Sequence, residues 1–462
     1  MTATPRHPPP ALDELAERWR QEGVRDIECL FADVTGYPRG KLVPAASFAR
    51  GGELRIAQAI PMQCVTGDYS PHPLFPEADP DVRLVPDLDT LRRVPWSDAP
   101  RWMAIHDVLE LDGSPCVFAP RSLLRRVLAD YAALGLTPVV APEIEFYLTA
   151  PMADPERPLQ PAPLRAGRTE AGQSAFSLNL LNELAPFWDE FRGALEALGV
   201  ACDTWLHEVG RSQFEINLQH GPALAVADQA FLFKYAAKEV ALRHGLNAVF
   251  MAKPIAGSPG SSMHLHQSVV DADGRNLFSL ADGRASPQHG HFIAGLQQHA
   301  ADLMLLFAPF VNSYRRYVAG SQAPVNLHWG HDNRTTGLRV PLSGPEARRV
   351  ENRIAGADAN PYLAIAASLA AGLAGLQERL APTAPVEGSA YDHSHDLPRS
   401  FLQALERLER SADARRLLGD AFVEGYVAVK ALEHDSFQRE ISAWERRWLV
   451  AHPGNLPKRR KT

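Results

Sequence analysis

One stretch constrains this chain more than any other: Pro142-Glu143-Ile144-Glu145-Phe146-Tyr147. The residues around it, Thr137 to Ala141 before and Ile144, Phe146, Tyr147 and Leu148 within and after, are apolar, β-branched and aromatic, the composition of a strand. On a strand, residues i and i+2 face the same way, so Glu143 and Glu145 project side by side from one sheet surface. Two carboxylates that close repel, and buried ones are costly without a partner. A hard divalent cation such as Mg²⁺ or Mn²⁺ is the usual compensation. On this stretch alone, a solvent-facing strand with two hydrated glutamates is the alternative.

The remaining chain has the resources for a large catalytic domain. Its 462 residues are enough for two domains, and its 45% hydrophobic and 22% charged content is ordinary for a globular protein. A net charge of -7 gives no electrostatic reason to expect nucleic acid or an anionic membrane as partner. Cys29, Cys64, Cys116 and Cys202 are scattered without CxxC spacing, as reduced thiols are. No apolar leader segment and no membrane-length apolar run occur, so the expected location is cytoplasmic. The basic run Lys458 to Lys461 reads as a frayed tail.

Periodicity predicts an α+β protein. Residues 1–19 are a Pro-rich lead and the start of a short amphipathic helix over 11–20. Residues 20–115 form a small, mostly β domain that opens with a hairpin from strand 26–33 to strand 39–44. Residues 116–462 form the larger domain. Helices are expected from Pro120 to Gly135 and at 186–198, 226–244, 291–307 and 360–379. Strands are expected at 213–218, 247–252, 263–270 and 334–353. Neither GxGxxG nor GxxxxGK[ST] is present, which argues against a dinucleotide fold and a P-loop.

Four further segments place polar side chains in strand context: His207 to Glu215, Met263 to Ser268, Asn333 to Arg339 and Arg349 to Arg353. Singly, each has a structural explanation. Together they assemble five glutamates, one or two histidines and several arginines in one domain. That inventory suits two divalent ions and an anionic phosphate, with hard oxygens for metal and guanidinium forks for phosphoryl oxygens.

In this combination and order, the chain resembles the glutamine synthetase superfamily from about residue 20 to 450. The resemblance is carried by Glu143-Ile144-Glu145, Lys253-Pro254, Gly260 to His266, Asn333-Arg334 with Arg339, Arg349 to Arg353, and Asn360-Pro361-Tyr362. It implies a β-grasp-like N-terminal domain, a catalytic domain with a curved, mostly antiparallel sheet and helices, and a homo-oligomer, a double-ring dodecamer with active sites between subunits. It further implies that Glu145, Glu208 and Glu215 hold one metal near the glutamate substrate, and that Glu143, His264 and Glu351 hold a second at the ATP phosphates. Arg316 and Arg353 match the arginines that hold substrate carboxylates, and Gly260 the glycine whose backbone approaches glutamate. Arg334, Arg339 and Arg353 take the catalytic positions around the transferring phosphoryl group. His266, Ser268, Arg339 and Arg349 fall where the family contacts nucleotide. The implied reaction phosphorylates the γ-carboxylate of L-glutamate from ATP, after which an amine displaces phosphate.

Departures from the family pattern cluster at the ammonium end. The Asp-Gly-Ser-Ser segment that binds ammonium is absent around Ala59 to Cys64, and the flap glutamate is replaced by Gln322 in Ser321-Gln322-Ala323-Pro324-Val325. Asp68 or Glu77 is an alternative source of a base. Pro259 to His264 and Ala323 to Gly330 resemble the γ-glutamylpolyamine (glutamate–putrescine ligase) branch, which implies a polyamine acceptor. An ammonium-using glutamine synthetase and an inactive ring-forming homologue are the alternatives. Tyr391 lies near the family's adenylylation position but lacks its flanking residues.

Overall fold

The structure, a computed structural model, describes residues 12–165 and 167–450. The Pro-rich lead and the basic run at Lys458 lie outside the described residues. The first helix is Leu12–Glu22, and its buried face, with Leu15 and Trp19, packs on the first sheet.

Among the described residues, fifteen strands form two sheets. The first holds β1 (Asp26–Ala32), β2 (Pro38–Pro44), β3 (Leu54–Ala57), β4 (Asp81–Pro86), β5 (Arg92–Arg93) and β6 (Arg101–Leu109) in the order β2-β1-β6-β4-β3, with β5 also on β6. The β1–β2 hairpin is antiparallel as expected, while β1 runs parallel to β6, the pairing of a grasp-type sheet. The second holds β7 (Thr137–Thr149), β8 (Cys202–His207), β9 (Gln213–Leu218), β10 (Gly221–Pro222), β11 (Asn247–Val249), β12 (Met263–Val270), β13 (Trp329–His331), β14 (Leu338–Val340) and β15 (Val350–Asn352). Its order is β13-β14-β15-β12-β7-β9-β8, with β10 and β11 also on β7. Only the β13–β14 pair is parallel, so the curved half-barrel sheet is mostly antiparallel.

Helices back the second sheet. Pro361–Glu378 is apolar on every side and buried from Pro361 to Gly375, as a helix at the centre of a core must be. It crosses Pro287–His299 closely: a Cβ on Gly295 would sit 2.2 Å from the Ala371 carbonyl oxygen, so only glycine permits the approach. No helix among the described residues is long and apolar enough to cross a membrane.

Two expectations need correction. The helix expected at 291–307 starts earlier and breaks, giving Pro287–His299 and Met304–Phe307. Ser286 caps the first, with Pro287 at its first turn. The continuous strand expected at 334–353 is two three-residue pieces, β14 and β15, separated by a loop. Pro341 and Pro345 lie in that loop and have no N–H for a ladder. Arg334 therefore sits on a turn, and Arg349 and Arg353 flank β15.

Candidate active site

Strand register brings the polar residues of four segments onto one sheet face. On β7, Glu143 lies opposite His264 of β12 and Asn217 of β9, and Glu145 opposite Glu215. His266 lies opposite Glu351 of β15, which lies opposite Arg339 of β14. Glu208 follows β8 at a tight turn, where its N–H donates to the Gln213 carbonyl and its Oε2 accepts from Val209 N–H at 2.8 Å.

Two cavities open over this face. One, of about 610 Å³, is lined by Glu143, Glu145, Glu208, Glu215 and His264 on one side, and by Gly260, Arg316, Arg334, Arg339 and Arg353 on the other. The second, of about 470 Å³, is lined by His266, Ser268 and Arg349, with Glu143 and Asn217 shared between the two. Glu351 is fully buried beneath the first. The structure thus gathers all the sequence-nominated site residues, and separates the nominated nucleotide residues His266, Ser268 and Arg349 from Arg339.

The carboxylates form two groups whose oxygens each lie within 4.8 Å of one another: Glu145, Glu208 and Glu215, and Glu143 and Glu351 with His266. His266 lies within that distance of both carboxylates, while the family resemblance nominates His264. Both rings are within reach. His266 Nε2 is 2.8 Å from Glu143 Oε1, and His264 Nδ1 is 3.2 Å from Glu143 Oε2 and 3.6 Å from Glu351 Oε1. The Arg349 guanidinium donates to His266 Nδ1 at 3.0 Å, which fixes the ring.

Electrostatics divides the groups. Burial raises the Glu145 carboxyl to about 7, with Glu208 adding repulsion, even though Ser262 donates to it through N–H at 2.8 Å and hydroxyl at 2.7 Å. Burial and then Glu145, Glu143, Glu208 and Glu351 push Glu215 up to about 9. In the other group burial opposes ionisation too, but Arg353 and the two histidines hold Glu351 down at about 2. Arg353 Nη1 reaches Glu351 Oε1 at 2.5 Å, and Arg339 Nη1 reaches Oε2 at 2.6 Å. Against its own burial, Glu143 is held well below the usual carboxylate range by His264 and His266. Burial and then Arg353 lower His264 to about 4, leaving the imidazole neutral at pH 7.

The basic side is similarly built from the backbone. Arg316 is buried and its guanidinium donates to the carbonyls of Ile354 at 2.8 Å and Arg353 at 2.9 Å. A Cβ on Gly260 would lie 2.7 Å from both Arg316 Cγ and the Ala252 carbonyl oxygen, so this glycine permits the arginine to lie across the strand entry. Arg334 stands exposed at the rim. Gln322 lines the cavity with φ of +60°, and its carbonyl accepts from Arg353 Nη2 at 3.3 Å. Among the described residues of this one chain the lining starts at Glu143, so its own Ala59 to Cys64, Asp68 and Glu77 do not line it.

Sequence reasoning missed Gln213, whose amide links Gly260 O at 2.9 Å, Ser261 Oγ at 3.3 Å and Glu145 Oε2 at 3.5 Å. The signal was the period of two on β9, where Gln213, Glu215 and Asn217 share a face. Ser262 was missed as well, since a hydroxyl carries no charge to single it out.

Residues 118–449 match the glutamine synthetase catalytic-domain model. Among curated relatives, a glutamate–isopropylamine ligase of Pseudomonas sp is 36% identical over 79% of this chain and 80% of its own. A glutamine synthetase of Pyrococcus abyssi is 34% identical over 90% of this chain and 92% of its own. The γ-glutamylputrescine synthetase PuuA of Escherichia coli is 34% identical over 93% of each chain. A solved GmaS/ADP complex superposes with a TM-score of 0.81 at 31% identity, covering 95% of this chain and 99% of that one.

Proposed function

The chain belongs to the glutamine synthetase family, and from that premise we propose that it is an ATP-dependent ligase joining the γ-carboxylate of L-glutamate to an alkylamine, with a short polyamine such as putrescine as acceptor. The observation that carries this reading is the single cavity with carboxylates on one wall and guanidiniums on the other. A carboxylate is a poor electrophile, and converting one of its oxygens to phosphate supplies a leaving group. Transfer of the terminal phosphoryl group of ATP to glutamate gives γ-glutamyl phosphate and ADP. The amine nitrogen then attacks the carbonyl carbon, phosphate departs, and the nitrogen gives up a proton.

Phosphoryl transfer asks chiefly for positioning and charge stabilisation. Arg316 and Arg353 are assigned to the substrate carboxylates, Arg334 and Arg339 to the phosphoryl oxygens, and His266, Ser268 and Arg349 to the nucleotide. The donor set fits divalent ions: Glu145, Glu208 and Glu215 offer three hard oxygens with no ion pair among the described residues, Arg316 acting on Glu145 only from a distance, and Glu143, Glu351 and an imidazole of His264 or His266 offer a second set. Bound Mg²⁺ or Mn²⁺ would neutralise the charge of phosphate and carboxylate oxygens in those places.

The acceptor assignment rests on Gln322 and on the apolar lining from Phe176, Leu206 and Val209. A neutral amide gives an ammonium ion no counter-charge and takes no proton, whereas a methylene chain gains from apolar contact. Binding energy from the far end of a diamine can lower the barrier at the reacting nitrogen. The family also supports a double-ring dodecamer with sites completed between subunits, which light scattering tests.

The deciding experiment titrates putrescine, isopropylamine, ethanolamine and ammonium at saturating glutamate and ATP with ADP release as readout. Putrescine is expected to exceed ammonium about a hundredfold in kcat/KM, an advantage of about 2.7 kcal/mol. If ammonium is the better acceptor, the polyamine reading is wrong and the enzyme is a glutamine synthetase. Cleavage of ATP to AMP would overturn the acyl-phosphate route.

A further inference from the structure

Residues 167–176 are an exposed surface run with one exception: Glu170, the residue least suited to it, is 6% exposed. Its Oε2 accepts from Ser212 N–H at 2.7 Å and lies 3.1 Å from Nε2 of His207, whose own side chain is fully buried. His207 is tied at three points. Its Nδ1 donates to the Glu208 carbonyl at 2.7 Å, its ring meets Glu170, and its carbonyl accepts from Phe176 N–H at 2.7 Å. Ser212 and Phe176, the two residues whose N–H groups complete the connection, both have φ of +60°, a conformation a side chain of either kind adopts only when its surroundings dictate it.

The run carries Gln173 and Phe176 to the wall of the 610 Å³ cavity, beside Leu206, Glu208 and Val209. Phe176 is 71% exposed, so its ring is open to a ligand rather than spent on packing. Burying a carboxylate is a poor way to gain stability, and here the second oxygen, Oε1, is buried without a hydrogen-bond partner. Among the described residues, then, what the arrangement supplies is position. We propose that Glu170 and His207 form a peg that fixes the 167–177 loop against the turn after β8, making them positioning residues that set acceptor selectivity through Gln173 and Phe176. The inference rests on reading the cavity as an amine-ligase site. Its substrate class follows from the wall it fixes: amines with an aliphatic chain, which touch that wall, depend on the peg, and ammonium, which is too small to do so, does not.

The test compares Glu170→Ala, Glu170→Gln and the parent enzyme with putrescine and with ammonium, measuring KM for each substrate and the rate of trypsin cleavage after Arg165 and Arg168. Glu170→Ala is expected to raise KM for putrescine at least tenfold, leave KM for glutamate and ATP within twofold, spare the ammonium reaction and speed cleavage. Glu170→Gln keeps a carbonyl oxygen for Ser212 N–H and is expected to stay within threefold of the parent in every readout. Faster cleavage with unchanged putrescine KM overturns the proposal, as does an equal loss for all substrates. Equal effects of the Ala and Gln variants overturn it too, since they would assign the role to the charge. Phe176→Ala, an exposed substitution that leaves the core untouched, must reproduce the putrescine defect without adding to that of Glu170→Ala. A parent enzyme that makes no γ-glutamyl amide with any amine refutes the functional reading instead, and is recognised before any variant is compared.

Discussion

The two acidic groups on the sheet face share a strand and differ in how their charge is balanced. Glu143 and Glu351 carry their own cationic and donor partners in His264, His266, Arg339 and Arg353. Among the described residues Glu145, Glu208 and Glu215 meet only neutral hydrogen-bond donors, chiefly Ser262 on Glu145, and burial and neighbouring carboxylates drive up the carboxyls of Glu145 and Glu215. The first group is assembled by the chain alone. The second has no ion-pair partner among the described residues. The two groups are therefore expected to respond differently to mutation, pH and added metal.

The sharpest break is Glu145→Gln, which removes a carboxylate from the group without a cationic partner. Turnover is expected to fall by more than a thousandfold, about 4 kcal/mol in the barrier. Melting temperature in chelator is expected to hold or rise, because a repulsion is removed. His264→Ala cuts turnover comparably but lowers melting temperature, since it strips a partner from the self-compensated group. Full ADP production by either variant in chelating buffer would sink the two-metal assignment.

Next in size is the pH dependence of stability without metal. Glu145 and Glu215 have folded-state values raised to about 7 and about 9, so the folded protein holds protons that the unfolded chain releases near 4.5. Stability therefore falls as pH rises from about 5 to 9, at about 1.4 kcal/mol per pH unit for each group over the range it spans. Glu351, depressed to about 2, contributes the opposite sign, with stability present above about 4.5 and lost as pH falls toward 2. Calorimetry across pH 5–9 should show the alkaline loss in chelator and its disappearance with Mg²⁺. An identical slope in both buffers would mean that the ion does not sit among these carboxylates.

Smaller effects sharpen the contrast at the acceptor end. Gln322→Glu places another carboxylate at the cavity and is expected to improve kcat/KM for ammonium about tenfold, or about 1.4 kcal/mol, while leaving putrescine nearly unchanged. A parallel gain for both acceptors would show that the residue acts on the shared acyl-phosphate step. The smallest change is Tyr391→Phe, which deletes the hydroxyl donated to the Ala323 carbonyl at 3.0 Å. A bond of this kind is worth about 1 kcal/mol, so roughly a fivefold fall in kcat is expected, with KM for ATP unaffected. A change in KM for ATP alone would place that segment with the nucleotide instead.

How much of this was legible in the sequence depended on the kind of signal. Glu143 and Glu145 were legible because a period of two is a local property, and the two histidines of β12 for the same reason. How the two histidines share Glu143 and Glu351 was not, because that depends on the β12–β15 register, and three-residue strands carry too little pattern to fix one. The broken strand at 334–353 misled for a related reason: alternating charge continued through a loop whose prolines exclude a ladder. Glu170 lay in a stretch that composition marks as surface. Its burial depends on His207 and Ser212, far along the chain, and no local pattern announces such a contact.

The 13-residue strand β7 has one more consequence. It acts as a ruler: two residues of extended chain span about 6.7 Å, so the spacing of the two acidic groups is set by covalent geometry rather than by what binds. Inserting one residue between Glu143 and Glu145 would turn one carboxylate to the opposite face. The acceptor side has no such gauge, since Gln173, Phe176 and Gln322 all stand on loops. On the proposed reading, a change of acceptor amine would need loop substitutions alone and would leave the Glu143–Glu145 spacing as it is.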